Sequence, residues 1–257
     1  MAPGGNTDKG KRTAAQAAEV IKELLDKGIE LVALCEVNEE TATAIADMCN
    51  SKVVTMCLKE KRGKWDLAIV FKKGIRCEDP TRVLANNTIR AAFSWNIVSD
   101  TGPSFHLYLL HWKSRLMDGG NDERECAAQA LWANVSRRLS DAEPVVIMGD
   151  FNDEPFDRSV TKKLYAVRDP DFVRRNRMTS LYNPMWPLSC PPTEDPWGAF
   201  GSYAYKGRRF LLDQAITSAY FLDHKSGRIP SVRMHRSILT TNDHTPLELC
   251  LGTKATL

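Results

Sequence analysis

The feature that most constrains this chain is where its acids and histidines fall relative to its apolar runs. Glu36 ends the run Leu31-Val32-Ala33-Leu34-Cys35, and Asp150 ends Val145-Val146-Ile147-Met148-Gly149. His111 closes Leu107-Tyr108-Leu109-Leu110, and Asp213 interrupts the stretch between Leu212 and Ile216. Asp243 and His244 stand just before Pro246-Leu247. Short apolar runs of this kind read as buried strands, so each polar group emerges at the end or in the middle of one. An unpaired buried carboxylate costs several kcal/mol, roughly, and persists when a cation compensates it. Either each acid has its own salt bridge, or the acids converge on a divalent cation. Oxygen donors of this type suit magnesium or manganese rather than zinc. The shared placement favours one common site.

The rest of the chain supplies a scaffold for such a site. With 257 residues, 43% of them apolar, the chain can bury a sizeable core, which excludes disorder. Neither a linker nor a repeat divides it, so a single domain over 1–257 is expected. Ala14, Ala17, Ala18, Ile21, Leu24 and Leu25 have helical spacing, with Gly28 as the stop. Residues 29–35 read as a strand buried on both faces, followed by a helix with Ala42, Ile45, Ala46 and Cys49 on one side. Segments 52–58 and 66–71 read as a strand pair around the Gly63 turn, and 88–98 and 105–111 as two further strands. Asp122 and Glu125 have capping-box spacing at the start of a helix running to about Leu139. A central strand at 145–148, an irregular proline-rich loop at 183–201 and late strands near 210–217, 232–236 and 247–251 complete the pattern. Strands interrupted by pairs of helices predict two packed sheets with helices outside them.

Charge and cysteine usage narrow the functional classes. Lysine and arginine exceed aspartate and glutamate by 35 to 32, compatible with an anionic substrate but excluding a basic nucleic-acid tail. The bias at 59–64 reads as a solvated turn. Seven cysteines without a CxxC pair, with Cys35, Cys57 and Cys250 inside apolar runs, suggest reduced thiols in the cytoplasm. No apolar run reaches membrane-spanning length and the first twelve residues lack a signal-peptide core, so no membrane association is expected. Nothing in the sequence indicates a protein partner.

These motifs resemble, in order, those of the endonuclease/exonuclease/phosphatase superfamily. Ala33-Leu34-Cys35-Glu36-Val37 is similar to its first metal-ligand strand, Asp66-Leu67-Ala68-Ile69-Val70 to a following strand, and His111-Trp112-Lys113-Ser114-Arg115 to its histidine motif. Gly149-Asp150-Phe151-Asn152 is its most specific signature. Tyr203-Ala204-Tyr205 with Leu212-Asp213-Gln214-Ala215-Ile216 resembles its late aspartate strand. Asn242-Asp243-His244-Thr245-Pro246 closes the set, with Asn242 where the family has serine. The same Gly149–Asp153 string satisfies the GDxxD element of another metallophosphatase class, but the Asp-x-His and Gly-Asn-His elements that class requires are not present.

The resemblance implies an α+β fold, a four-layer α/β/β/α sandwich of two mainly antiparallel sheets flanked by helices. It implies magnesium-dependent (or manganese-dependent) hydrolysis of phosphodiester bonds, with a nuclease on DNA or RNA as the leading reading. Alternatives are a phosphatase or phosphodiesterase of a small or lipid-linked ester, or a catalytically silent binding module. An abasic endonuclease would carry a lysine where Asn38 stands. On this resemblance Glu36, Asp150 and Asp243 hold the metal, and His111, Asp150, Asn152, Asp213, Asp243 and His244 form the catalytic group. Lys113, Arg115, Arg208 and Arg209 are candidate phosphate contacts, with Trp186 and Trp197 candidate stacking partners for a base. The family also begins with a strand whose asparagine supports the metal. Only Met1 to Lys11 precede the first helix here, with Asn6 as a substitute, so the sandwich is expected to lack that strand or to replace it.

Overall fold

The structure, a computed structural model, describes residues 8–56, 66–117, 120–189, 201–206, 208–223, 229–235 and 244–251. In chain order these form α1 (Asp8–Asp26), β1 (Leu31–Val37), α2 (Glu39–Met48), β2 (Lys52–Met56), β3 (Asp66–Phe71), β4 (Ile75–Ala85), β5 (Ile89–Ser99) and β6 (Phe105–His111). Then follow α3 (Gly120–Ser140), β7 (Val145–Asp150), β8 (Ala166–Val167), α4 (Pro170–Arg175), β9 (Leu181–Tyr182), β10 (Tyr203–Tyr205), β11 (Arg208–Phe210), β12 (Asp213–Thr217), β13 (Ser231–Met234) and β14 (Leu247–Cys250).

Period-2 alternation along the strands builds the layers. Within β3, Ala68 and Val70 face α1 and α2, whose Ala17, Ala18, Ile21, Leu25, Ala42, Ile45 and Ala46 form one core with them. Leu67, Ile69 and Phe71 point the other way, into a second core with Phe93, Trp95 and Ile97 of β5 and Leu107 and Leu109 of β6. The alternate residues Tyr108 and Leu110 of β6 and Val145 and Ile147 of β7 meet Ala127, Leu131, Val135 and Leu139 of α3 in a third. Helices, small sheet, large sheet and helix therefore stack in the expected α/β/β/α order. The small sheet runs β1-β3-β2 and the large one β4-β5-β6-β7-β12-β9-β8, with β10–β11 and β13–β14 as separate ribbons. Pairing is antiparallel except between β6 and β7 and between β8 and β9.

The helix stop at Gly28 (φ +100°) and the strand β1 follow the sequence pattern, and β1 does contact cores on both faces. Strand β4 is a departure. It is an edge strand with mostly exposed residues, a register shift between Glu78 and Thr81, and Pro80 at that irregularity. Edge positions and bulges tolerate proline, so no apolar alternation marks the strand. A second correction concerns α3, which starts at Gly120, so Asp122 lies in its first turn rather than capping it. Cys250 is exposed rather than buried, and the five described cysteines are unpaired. Met1 to Thr7, including Asn6, lie outside the described residues, as do Cys57, the Gly63 turn, Trp197, Asn242 and Asp243.

Candidate functional site

The strand register builds the site. His111 of β6 stands opposite Asp150 of β7, and Asp150 stands opposite Asp213 of β12. Three groups far apart in the chain thus occupy one rung of the large sheet. Glu36 approaches from the small sheet. It sits where the β1–β3 register shifts between Leu34 and Val37, with φ +57°. Such a bulge re-aims a side chain that alternation would send elsewhere. His111 Nε2 lies 3.6 Å from Glu36 Oε1 and 3.7 Å from Asp150 Oδ2, longer than hydrogen bonds.

The Gly149-Asp150-Phe151-Asn152 turn is fixed locally. Gly149 has φ +135°, and a Cβ there would lie 2.0 Å from Leu110 O, so only glycine fits. Phe151 packs edge-on against Trp112 with ring centroids 5.0 Å apart. Asn152 adopts the left-handed region at φ +50°. Its N–H donates to Asp150 Oδ1 at 2.8 Å, and its Nδ2 donates to Asp150 Oδ2 at 3.1 Å and to Trp112 O at 3.0 Å. Asp150 is therefore oriented on both oxygens.

At the far end of the rung, His244 Nδ1 donates to Asp213 Oδ2 at 2.6 Å. Tyr203 bridges to His244 through the backbone, and their rings lie 4.7 Å apart. The buried hydroxyl of Ser202 accepts from the backbone N–H of Leu212 and Asp213 at 3.1 and 2.8 Å. Sequence reasoning missed Ser202, since an isolated serine beside Tyr203 carries no pattern.

Burial and charge set the four titrating groups apart. Burial, then the neighbouring Asp213 charge, raise Asp150 from the usual carboxylate range to about 7. Burial also pushes Asp213 up, but the His244 charge and hydrogen bond outweigh it and hold Asp213 low. Burial disfavours charge on His244, yet Asp213 lifts it to about 9. His111 falls to about 4 through burial and the nearby Arg90 charge. At neutral pH the site therefore holds a neutral histidine, a histidine–carboxylate ion pair and a carboxyl close to half-ionised.

A divalent cation fits this donor set. Among the described residues no three His, Cys, Asp or Glu side chains close around a single point in metal-ligand geometry. Magnesium, however, is held through one or two carboxylates, with waters and substrate phosphates completing its shell. Glu36 and Asp150 supply two carboxylates on either side of His111 Nε2, and the elevation of Asp150, set first by burial and then by the Asp213 charge, is what a bound cation would relieve.

The remaining candidates lie in varied surroundings. Lys113 is paired with Glu123. Arg115 donates from Nε to Asn152 O at 2.8 Å and meets Asp153 and Asp157, so its charge is engaged within the loops of the site. Arg208 and Arg209 are exposed on β11, beside the β10 strand that carries Tyr203. Trp186 contacts Arg168, whose guanidinium lies 5.6 Å from the ring centroid.

Comparison with known proteins bears on the family and the fold. A family model described as Endonuclease/Exonuclease/phosphatase family matches residues 5–241. No curated protein matches the sequence. Among solved structures, the human Nocturnin catalytic domain with bound sulfate anion is 16% identical, with a TM-score of 0.58 over 91% of this chain and 86% of that one. Truncated Caenorhabditis elegans TDP2 is 16% identical at TM-score 0.61, covering 91% of this chain and 89% of that one. A mannosyl-6-phosphatase of Bacteroides thetaiotaomicron is 14% identical at TM-score 0.62, with 96% of each chain covered. These likenesses concern the fold. The family match over most of the chain makes this protein a member of the endonuclease/exonuclease/phosphatase family, hydrolases that act on phosphoester bonds.

Proposed function

We propose that the chain is a magnesium-dependent phosphodiesterase acting on nucleic acid. The observation that carries this reading is the rung His111–Asp150–Asp213, closed by Glu36 on one side and the Asp213-paired His244 on the other. Asp150, held on both oxygens by Asn152 at the centre of the rung, is assigned to accept the proton of the attacking water. Asn152 commits its N–H donors to that carboxylate and to Trp112 O, and so serves by orienting Asp150. His244, charged through Asp213, binds a non-bridging oxygen and stabilises the charge that builds on the phosphoryl group. Neutral His111 is assigned to the leaving oxygen or the phosphate. Glu36 and Asp150, with Asp243, would hold the cation, which supplies charge neutralisation at the reacting phosphate.

A nucleic-acid substrate is favoured by the β10–β11 hairpin next to His244. Tyr203 and Tyr205 stack with ring centroids 6.4 Å apart, Lys206 lies 5.2 Å over the Tyr205 ring, and Arg208 and Arg209 are exposed. Basic and aromatic side chains interleaved in this way suit a phosphate backbone with bases to stack. A small phosphate ester is the second reading, in keeping with the mannosyl-6-phosphatase that shares the fold. Among the described residues no helix is long and apolar enough to cross a membrane, and the unpaired thiols suit the reducing cytoplasm.

The test is incubation with plasmid, single-stranded DNA, RNA and a generic phosphodiester, with and without magnesium. Asp150→Asn and His244→Ala should each abolish turnover. Activity surviving both substitutions would put the catalyst elsewhere.

A further inference from the structure

Behind the rung lies a charged cluster that the chemistry above does not use. Asp153, the residue after Asn152, is 6% exposed, and the Arg124 side chain of α3 is 1% exposed. Arg124 Nε approaches Asp153 Oδ1 at 2.9 Å as a charge pair rather than an aligned hydrogen bond. The same guanidinium donates to Lys113 O at 2.9 Å and to Asn121 Oδ1. Arg115 Nη2 meets Asp153 Oδ1 at 3.2 Å, and Ser159 Oγ donates to Asp153 Oδ2 at 2.6 Å. Gln214 Nε2 donates to Asp153 O at 2.6 Å. One carboxylate thus ties together α3, the loop after His111, the turn after β7, the helical turn at Ser159–Lys163 and, through its backbone, β12.

A buried ion pair adds little net stability relative to apolar residues of the same volume. Its consequence lies in what it holds. Arg115 joins the cluster to Asn152 O at 2.8 Å, and Asn152 occupies a left-handed conformation while both its donors fix Asp150. Gly120 belongs to the same device, since a Cβ there would lie 2.9 Å from Arg124 Nη1.

We propose that Asp153, anchored on Arg124 and Arg115, is a positioning residue: it fixes the left-handed Asn152 so that Asn152 keeps Asp150 aimed at the reacting phosphate. The assignment rests on the phosphodiesterase reading for its catalytic meaning, and its structural content can be tested without turnover. The experiment is a double-mutant cycle of Asp153→Asn with Asn152→Ala, assayed on bis(4-nitrophenyl) phosphate with magnesium. Asp153→Asn alone should lower kcat by about 10- to 100-fold, the range for residues that orient an inner group, with KM changed less than about threefold. In the Asn152→Ala background the same substitution should matter less than about threefold, because the group it acts through is gone. Equal losses in both backgrounds would overturn the proposal, as would a loss confined to KM. If the native protein hydrolyses nothing, the phosphodiesterase reading fails, and amide exchange then decides the positioning claim. Asp153→Asn should speed exchange of the Asn152 amide by about tenfold or more while β1 and β3 remain protected. Unchanged exchange at Asn152 would overturn it. Should Asp153→Asn fail to fold, Ser159→Ala, which removes only the Oδ2 donor, is read by the same two measurements in the same direction.

Discussion

Asp150 and Asp213 stand opposite each other on neighbouring antiparallel strands, yet their environments drive them apart: Asp213 is held as an anion by His244 while Asp150 is raised to about 7. Two carboxylates on one rung, Asp150 buried and Asp213 half-buried, ionise together only at a large electrostatic penalty. The histidine compensates one of them, and the other stays ready to gain or lose a proton at neutral pH. Separating two like groups by their neighbours is a general way to divide proton-transfer and charge-stabilising roles.

The Asp213–His244 pair should control the alkaline side of activity and stability. Asp213→Asn removes the charge that chiefly lifts His244 against its burial, leaving only the Asp150 charge to raise it, so His244 should titrate well below 9. At pH 7.5 we expect kcat to fall by ~10²–10⁴, the range for a lost proton-transfer or charge-stabilising partner. For stability the sign follows from linkage. The folded pKa of His244 lies above its unfolded value, so its contribution is complete below about 6.5 and is lost as pH rises through about 9. Asp213 is depressed, so its contribution is present above about 3.9 and is lost as pH falls through its lowered folded value. Asp150 and His111 act in opposite senses between about 4 and 7 and largely offset. The melting temperature of the native protein should therefore decline between about pH 6.5 and 9 and level off above that, and the Asp213→Asn variant should lack that decline. An NMR titration placing His244 near 9 in the variant would remove Asp213 as the cause.

Magnesium should raise the melting temperature and move Asp150. A cation beside Glu36 and Asp150 favours their ionised forms, so Asp150 should drop from about 7 and binding should release a proton near neutral pH. At ligand concentrations about 100 times Kd the stabilisation is roughly 2.7 kcal/mol, a shift of several degrees for a chain of this size. Glu36→Gln should weaken the effect. No thermal shift at millimolar magnesium, measured by calorimetry with a chelator control, would argue against the carboxylate site.

Much of this was legible in the sequence because local chemistry dictates it. The runs ending in Glu36, His111 and Asp150 are continuous apolar stretches of strand length, and the four layers follow from how strands and helices succeed one another. Strand β4 was not legible, because its exposed polar residues and Pro80 leave no alternation to read. Nor could a sequence show which carboxylate meets which histidine. Glu36 reaches His111 through a bulge, and His244 meets Asp213 across 31 positions, both outcomes of long-range register. Lys113 and Arg115 read as phosphate contacts because they are basic and lie beside a motif. In the fold their charges meet Glu123, Asp153 and Asp157, and no local pattern announces such partners.

Two glycines should respond to alanine very differently. Gly149→Ala places a methyl group 2.0 Å from Leu110 O at φ +135°, where backbone must move, so we expect loss of more than about 4 kcal/mol or failure to fold. Gly28 has φ +100° but nothing within 4 Å of its Cβ, so Gly28→Ala should carry only conformational strain, about 1 kcal/mol. Denaturant titration of the two variants separates the cases. A Gly149→Ala protein as stable as Gly28→Ala would mean that β6 and β7 do not approach as closely as the register requires.

The exposed arginines distinguish the two substrate readings. Arg208 and Arg209 project from the β11 ribbon whose partner strand carries Tyr203, and Tyr203 contacts His244. If the substrate is a nucleic acid, the double substitution to alanine should raise KM for an oligonucleotide about 10-fold or more and reduce the slope of log affinity against log salt by about 1 to 2, one unit per lost phosphate contact. Hydrolysis of bis(4-nitrophenyl) phosphate should change little, because that ester has a single phosphate and reaches only the rung. Trp186→Ala, at a ring engaged with Arg168, serves as a comparison and should have the smaller effect on oligonucleotide KM. An unchanged salt slope in the arginine variant, with KM altered equally for both substrates, would favour a small phosphate ester over a polymer.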